Sequence, residues 1–182
     1  MRGIKLMMVP ALLVGTLTAC TPGSQPVAAL AMRDDRPLAI LVTCGGDFAQ
    51  ISVYRNDETA RPTPTGRVDT LVEWRVSGEP AGEVVEAPLF GTPPVGWQTG
   101  DPTSEPPEGQ SARTVSLTEL TPGVRYSLSG HSGRDSAPVH FTTDDLGRIG
   151  ADDVLAPVSR RESEIMSRRT FERKAAESCD NS

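Results

Sequence analysis

The chain has few of the side chains from which most catalytic and metal sites are built. Its 182 residues include two histidines and three cysteines, and aromatic residues make up 4% of the total. Histidine is the usual general base and a common metal ligand, so His131 and His140 leave little material for a triad or a zinc site. The sequence also lacks a G-x-S-x-G motif and a phosphate-binding glycine loop. It therefore predicts no cofactor or metal and favours a non-catalytic protein.

Long hydrophobic runs are missing as well. The apolar stretch Leu6–Thr16 is shorter than the ~20 residues that a membrane-spanning helix needs. Arg2 and Lys5 precede this stretch and small residues follow it, which is the pattern of a cleaved export signal. We expect residues 1–19 to be a signal peptide that is removed after export.

Positive charge is scarce in the exported part of the chain. Without Arg2 and Lys5, 16 basic residues stand against 24 acidic ones, a net charge of −8. The imbalance lies in residues 33–147, whereas residues 148–182 carry seven groups of each sign. Proteins that bind nucleic acid or anionic lipid by charge need a basic surface. We therefore expect no nucleic-acid partner and no electrostatic attachment of the acidic body to a membrane.

Residues 17–20, with the sequence LTAC, resemble the lipobox of bacterial lipoproteins. In that family the cysteine receives a diacylglyceryl group, and the signal is cut just before it. The resemblance implies that Cys20 is lipidated and that this anchor attaches the protein to the extracytoplasmic face of the cell membrane. The alternative is a secreted protein with an incidental cysteine near its cleavage site.

A lipid on Cys20 would leave Cys44 and Cys179 as an even pair. In an oxidising compartment a disulfide between two such cysteines is the default expectation. We predict this disulfide, which closes a loop of 135 positions. A redox role would need a close pair such as C-x-x-C, which the sequence does not contain.

A series of short strands is predicted for the middle of the chain. Residues 20–36 are rich in small residues and show no sustained period, so we expect a flexible tether there. Residues 37–143 alternate or run apolar in short segments between turn residues, which predicts an antiparallel β-sandwich. The predicted strands cover residues 38–44, 48–55, 70–77, 82–90, 113–117, 124–128 and 139–141.

Residues 112–143 resemble the last three strands of a fibronectin type III domain. The positions that form a corner between strands in that family are held by Leu120, Pro122, Gly123 and Tyr126, and Phe141–Thr143 match its final strand. The resemblance implies an immunoglobulin-like sandwich in which Tyr126 buries its ring and bonds back to the corner backbone. The chain also resembles a group of actinobacterial lipoproteins that end in a helix with a terminal cysteine, which implies no particular activity.

The hydrophobic period changes towards the C-terminus. The segment Ser159–Glu162 matches the capping box S-x-x-E, so a helix is predicted to begin there. Apolar residues that follow fall within an arc of about 140° on a helical projection, and they are Ile165, Phe171, Ala175, Ala176 and Cys179. We predict that residues 144–182 form a helical extension packed on the sandwich, with a short helical turn at Thr143–Leu146.

The histidines are weak candidates for catalysis. His131, Ser132 and Asp135 lie within five residues, but this mixture is typical of a polar turn and we expect no triad. His140 lies between two inward-facing apolar residues of a predicted strand, so we expect its ring to point into solvent.

Trp97 is the candidate ligand-binding residue. It lies in a Pro/Gly-rich loop, and loops at the end of a sandwich commonly carry binding sites. An exposed tryptophan beside acidic residues could bind a sugar ring, a peptide or a basic partner. The alternative is that Trp97 closes the end of a core poor in aromatic residues.

These features favour a lipid-anchored, extracytoplasmic, non-catalytic module for binding or cell-envelope interaction. The partners expected, besides the membrane, are a protein or a glycan at the cell surface. The alternatives are an envelope hydrolase with a site assembled from scattered residues, or an accessory subunit of a transporter or sensor.

Overall fold

A computed structural model describes residues 25–56, 70–100 and 113–180, which form two β-sheets and two helices. In the first sheet the strand order is β12-β11-β1-β2-β5, from Ser163–Ser167, Asp153–Pro157, Val27–Arg33, Arg36–Val42 and Val84–Pro88. In the second sheet the order is β10-β8-β3-β4-β6, from Val139–Phe141, Tyr126–Ser132, Ala49–Arg55, Thr70–Gly78 and Trp97–Thr99. The helices are α1, Thr143–Leu146, and α2, Arg168–Asp180.

The two sheets pack as a mainly antiparallel sandwich, which confirms the predicted fold class. Two short strands extend the second sheet: β9 (Arg134–Asp135) pairs with β8, and β7 (Arg113–Ser116) lies parallel to β4. The parallel pair β4–β7 is the departure from an all-antiparallel arrangement among the described strands.

Alternate side chains of both sheets form the sandwich core. The buried side chains that the second sheet contributes include Ile51, Val53, Trp74, Val76, Tyr126, Leu128, Val139 and Phe141. Most of them alternate along their strands, as expected for a sheet with one face towards the core. The first sheet contributes smaller side chains, among them Ala28, Leu30, Ala39, Leu41, Val85 and Ala87.

The predicted tyrosine corner is present before β8. The Tyr126 side chain is fully buried and its ring lies 5.7 Å from that of Phe141. Its hydroxyl oxygen accepts a hydrogen bond of 2.8 Å from the backbone N–H of Thr121. The ring thus fills the core while its one polar atom finds a partner in the corner backbone.

Helix α2 covers the outer face of the first sheet. Phe171 and Ala175 on the helix pack against outward-facing apolar residues of three strands, and these are Ala29, Ala31, Leu38, Ile40, Val42, Val154 and Ala156. We call this second apolar cluster the helix layer. Because it covers the first sheet on the side away from the sandwich core, strands β1 and β2 are buried on both faces.

The predicted tether is wrong from residue 27 onward. Val27–Arg33 forms β1, a central strand, and the hairpin to β2 turns at Asp34 and Asp35, whose φ angles are 50° and 58°. Two consecutive residues with positive φ are the signature of a type I′ hairpin turn. The sandwich therefore begins ten positions before the predicted boundary at residue 37.

The C-terminal extension is also less helical than predicted. Residues Asp153–Pro157 and Ser163–Ser167 form β11 and β12 of the first sheet, so the sandwich continues beyond residue 143. The predicted helix start at Ser159 is wrong, because that segment is the turn between these two strands. The helix begins at Arg168, and the short helical turn predicted at Thr143–Leu146 is present as α1.

Candidate functional site

A groove runs between α2 and the outer face of the first sheet, at the end where β1 begins. Its volume is about 360 Å³. Partly exposed apolar side chains form its floor, among them Val27, Pro157 and Met166, and two exposed basic side chains, Arg160 and Lys174, also line it. We call this feature the helix groove.

The charge of the helix groove is opposite to that of the protein. None of the described residues that line it is acidic, although the chain carries 24 acidic residues against 18 basic ones. Arg160 and Lys174 are exposed, and neither side chain forms an ion pair with any part of the chain that the structure describes. The groove therefore combines an apolar floor with two unneutralised positive charges, which suits an anionic group carried on an apolar body.

The β11–β12 turn and α2 hold the two basic side chains. The Ser159 hydroxyl accepts hydrogen bonds of 3.2 Å from the backbone N–H groups of Arg161 and Glu162. The N–H of Val158 donates to the carbonyl of Glu162 at 3.0 Å, which closes the turn. The S-x-x-E segment thus caps a hairpin rather than a helix, and this turn places Arg160 on the groove.

His140 braces the same turn from the second sheet. Its Nε2 lies 3.1 Å from the carbonyl oxygen of Arg160, and its backbone N–H donates to the hydroxyl of Ser163 at 2.9 Å. Because a carbonyl can only accept, Nε2 carries the hydrogen. The expectation that the His140 ring points freely into solvent is therefore wrong, since the ring is half-buried and bonded at both nitrogens.

The Ser127 hydroxyl contacts the other nitrogen of His140, at 2.7 Å from Nδ1. The Asn56 side chain donates to the same hydroxyl at 2.6 Å, so its own hydrogen is directed to Nδ1. This serine–histidine contact resembles part of a hydrolase site, but Ser127 has no exposed surface that a substrate could reach. Its observable role is to orient the ring that holds the turn.

His131, Ser132 and Asp135 do not assemble into a triad. The His131 Nδ1 lies 2.8 Å from a carboxylate oxygen of Asp135, and both side chains are on the surface. Ser132 is the next residue of the strand and therefore faces the opposite side of the sheet, where its hydroxyl is buried. That hydroxyl has no hydrogen-bond partner among the described residues.

Trp97 is buried, with 8% of its surface exposed. Its indole N–H donates to the carbonyl of Glu79 at 3.1 Å, and its ring lies over Gly78, where a Cβ atom would come within 2.8 Å of it. A buried ring cannot serve as a surface platform for a ligand, so the prediction of Trp97 as an exposed binding residue is wrong. The alternative reading, that it closes one end of the core, is the arrangement observed.

Cys44 and Cys179 form the predicted disulfide, which connects the end of β2 to the end of α2. The Ser178 hydroxyl beside it donates to the Gln25 carbonyl at 3.1 Å. The bridge thus fixes the C-terminal end of the helix next to the point where the described chain begins. Cys20, the predicted lipidation site, lies outside the described residues.

The N-terminal end of α2 is tied to the sheet by an ion-pair cluster. Both Arg168 and Arg33 donate to the carboxylate of Glu86, and Arg168 also pairs with Glu172 at 2.9 Å. Partial burial raises the pKa of Glu86, but the hydrogen bonds and charges of Arg168 and Arg33 outweigh it, so the pKa lies below its ordinary value. The same contacts raise the pKa of Arg168.

Two further surface hollows carry mixed charge. One of about 410 Å³ surrounds the β1–β2 hairpin, where Asp34 lies between Arg33 and Arg36. The other, of about 260 Å³, adjoins His140 and includes Asp145 and Glu162 beside its arginines. Because basic groups in both hollows stand next to carboxylates, neither has the uniform charge of the helix groove.

Comparison with known proteins adds nothing to the fold and the groove as a basis for assigning a function. No protein-family model, no curated protein and no solved structure matches the chain. Across residues 25–56, 70–100 and 113–180, no group of three or more His, Cys, Asp or Glu side chains is arranged to hold a metal ion. In the same residues no helix has the length and apolarity required to cross a membrane.

Sequence reasoning missed Arg160 and Lys174 as candidate site residues. The available signal was Lys174, the only lysine beyond the predicted signal peptide, in the part of the chain where basic and acidic residues are balanced. The position of Arg160 could not be inferred, because its segment was assigned to a helix instead of a turn.

Proposed function

We propose that this protein is a lipid-anchored, extracytoplasmic, non-catalytic binding module of the cell envelope, with the helix groove as its binding surface. The observation that carries the proposal is the pair of unneutralised basic side chains, Arg160 and Lys174, above an apolar floor. The lipobox-like segment ending in Cys20 supports the anchor, and the disulfide is consistent with an oxidising compartment. We also propose that the protein is related to the group of actinobacterial lipoproteins that its sequence resembles.

The first test concerns the anchor. Protein purified from membranes of its native host should have the intact mass of a chain that starts at a diacylglyceryl-modified Cys20, and reduction should add two hydrogens at the disulfide. The variant Cys20→Ser should leave the membrane fraction, because no lipid can be attached. A soluble wild-type product with an unmodified Cys20 contradicts the anchored part of the proposal.

The second test concerns occupancy of the groove. Lys174 is the only lysine after Lys5, so acetylation of intact cells with an amine-reactive reagent reports on one side chain. A matched control moves this lysine to the far end of the same sheet with Lys174→Arg and Arg36→Lys together. We expect Lys174 to be acetylated more slowly in cells than in the purified protein. In the control variant, the lysine at position 36 should be acetylated at the same rate in both. Equal behaviour at both positions contradicts binding at the groove.

A further inference from the structure

We propose that the helix groove faces the membrane and receives the anionic headgroup of a phospholipid from the same bilayer. This inference rests on the proposed anchor at Cys20, and it assigns a ligand class to the proposed binding surface. Its support comes from three features: where the chain enters the domain, how the groove is charged, and what its floor consists of.

The entry point places the groove close to the anchor. Gln25 lines the groove and is held there through its carbonyl, which accepts from Ser178 at 3.1 Å, and its side chain, which donates to the Asp135 carbonyl at 2.8 Å. Gln25 lies five positions after Cys20, and a fully extended chain of that length spans at most about 18 Å. A lipid on Cys20 therefore keeps the groove within that distance of the membrane surface.

The charge of the groove selects an anionic partner. Arg160 comes from the β11–β12 turn and Lys174 from α2, and the described residues of the lining include no carboxylate. Near an anionic membrane each basic side chain strengthens association about fivefold. The net charge of the chain predicted no electrostatic attachment to a membrane, but the groove combines two basic side chains with no carboxylate among its described lining residues, so this is the face that we expect such a membrane to attract.

The floor of the groove suits the part of a phospholipid beneath its phosphate. Val27, Pro157 and Met166 line the groove with partly exposed apolar side chains, so a phosphate held by the two cations would leave its glycerol and upper acyl chains against apolar carbon atoms. An anchor alone leaves a domain free to rotate on its tether, whereas an anchor together with basic contacts fixes one orientation. The predicted role of the groove is to hold α2 towards the bilayer and the second sheet away from it.

Lys174 gives a direct measurement of this contact. The processed full chain, purified in non-ionic detergent, is placed in lipid nanodiscs of phosphatidylcholine alone or with one third phosphatidylglycerol, and acetylation of Lys174 is followed by intact mass. We expect acetylation to be about fivefold slower in the anionic discs. Arg160→Gln should remove most of this protection, whereas Arg36→Gln, at the far end of the sheet, should leave it unchanged.

Other outcomes separate the competing explanations. Equal rates in both discs with a lipidated Cys20 overturn the headgroup assignment and leave the anchor standing, whereas equal rates with an unmodified Cys20 overturn both. Protection in neutral discs by added inorganic phosphate would assign the groove to a soluble anion and overturn the lipid source. If Lys174 is acetylated equally slowly in detergent and in both kinds of disc, the occupant of the groove is a segment of the chain itself. This result would also overturn the inference.

Discussion

The sandwich core and the helix layer lie on opposite faces of the same sheet, but they are held together differently. The sandwich core contains Trp74, Trp97, Tyr126 and Phe141, and its backbone pairing extends over two sheets. In the helix layer Phe171 is the one buried aromatic residue, and four of the nine buried residues are alanines. Burial of the sandwich core is therefore extensive, whereas the helix layer depends on a disulfide at one end and an ion-pair cluster at the other.

This difference indicates that the helix layer is the part of the molecule most sensitive to its surroundings. Apolar burial scales with the area removed from water, and a helix that contributes one phenylalanine and one alanine removes little. Covalent and ionic contacts respond to redox conditions and pH, to which a hydrocarbon core is insensitive. The helix groove lies between α2 and the outer face of the first sheet, so it shares that sensitivity through α2.

The largest effect is expected from removing an aromatic ring of the sandwich core. Phe141→Ala should lower the free energy of unfolding by about 3–5 kcal/mol, because it leaves a cavity beside Tyr126. The matched change Phe171→Ala should cost the sandwich less, since α2 can detach locally while the two sheets stay paired. Urea unfolding followed by the fluorescence of Trp74 and Trp97 measures the free energy of unfolding of both variants. Equal losses would show that the sandwich core and the helix layer contribute equally to stability.

Removal of the disulfide should act next most strongly, and on the helix layer. The double variant Cys44→Ser, Cys179→Ser loses a constraint worth about 2–4 kcal/mol. We expect amide hydrogens of α2 to exchange with solvent markedly faster, while those of β8 change much less. Hydrogen exchange with mass spectrometry resolves the two segments, and unchanged exchange in α2 would show that the helix layer holds without its bridge.

A smaller effect is expected at the tyrosine corner. Tyr126→Phe leaves the backbone N–H of Thr121 without its partner and should cost about 1–2 kcal/mol. Tyr54→Phe is the control, because Tyr54 is half-buried and its hydroxyl bonds to no described residue. Thermal unfolding of the two variants should separate them, and equal melting temperatures would show that the corner bond contributes nothing.

The smallest effect is expected at Glu86, and it depends on pH. Because the pKa of Glu86 is lowered in the folded state, its contribution is present above the ordinary value of 4.5 and is lost as the pH falls through the lowered pKa. Glu86→Gln should cost about 1 kcal/mol at most at pH 7, since Arg33 is largely exposed, and nothing once the carboxylate is protonated. Melting temperatures across this range test the change, with Glu83→Gln, at an exposed position close to β5, as the control.

The sequence predicted the second sheet better than the first, for a physical reason. Strands β3, β4 and β8 have one buried face, so their apolar residues alternate and reveal both the strand and its inward side. Strand β1 is buried on both faces, and its sequence VAALAMR is a continuous run of mostly small residues without a period. The available signal was the Asp34–Asp35 turn between two apolar runs, which a tether does not require.

The predicted helix stripe was partly correct. Phe171, Ala175 and Cys179 face the sheet as the helical period indicated, and Arg168, which interrupts the stripe, reaches Glu86 on β5. The start of the helix was misplaced because a serine that accepts backbone N–H bonds caps tight turns as readily as helices. The cap of α2 is Ser167, whose hydroxyl accepts from the N–H of Thr170 at 3.3 Å. The helix groove could not be predicted, because it depends on how a turn and a helix distant in sequence meet.

The central position of β1 also determines how the domain responds to force. Through the proposed anchor at Cys20, force would enter the domain at residue 25 and act along the axis of β1, which pairs with β2 over seven positions and with β11 on its other side. The hydrogen bonds to both neighbours lie across the strand, so a pull along its axis stretches all of them together instead of opening them one at a time. A strand at the edge of the sheet would peel away under a far weaker pull. Entry through the middle of the sheet therefore means that the pull of the proposed anchor would act on a strand paired on both sides.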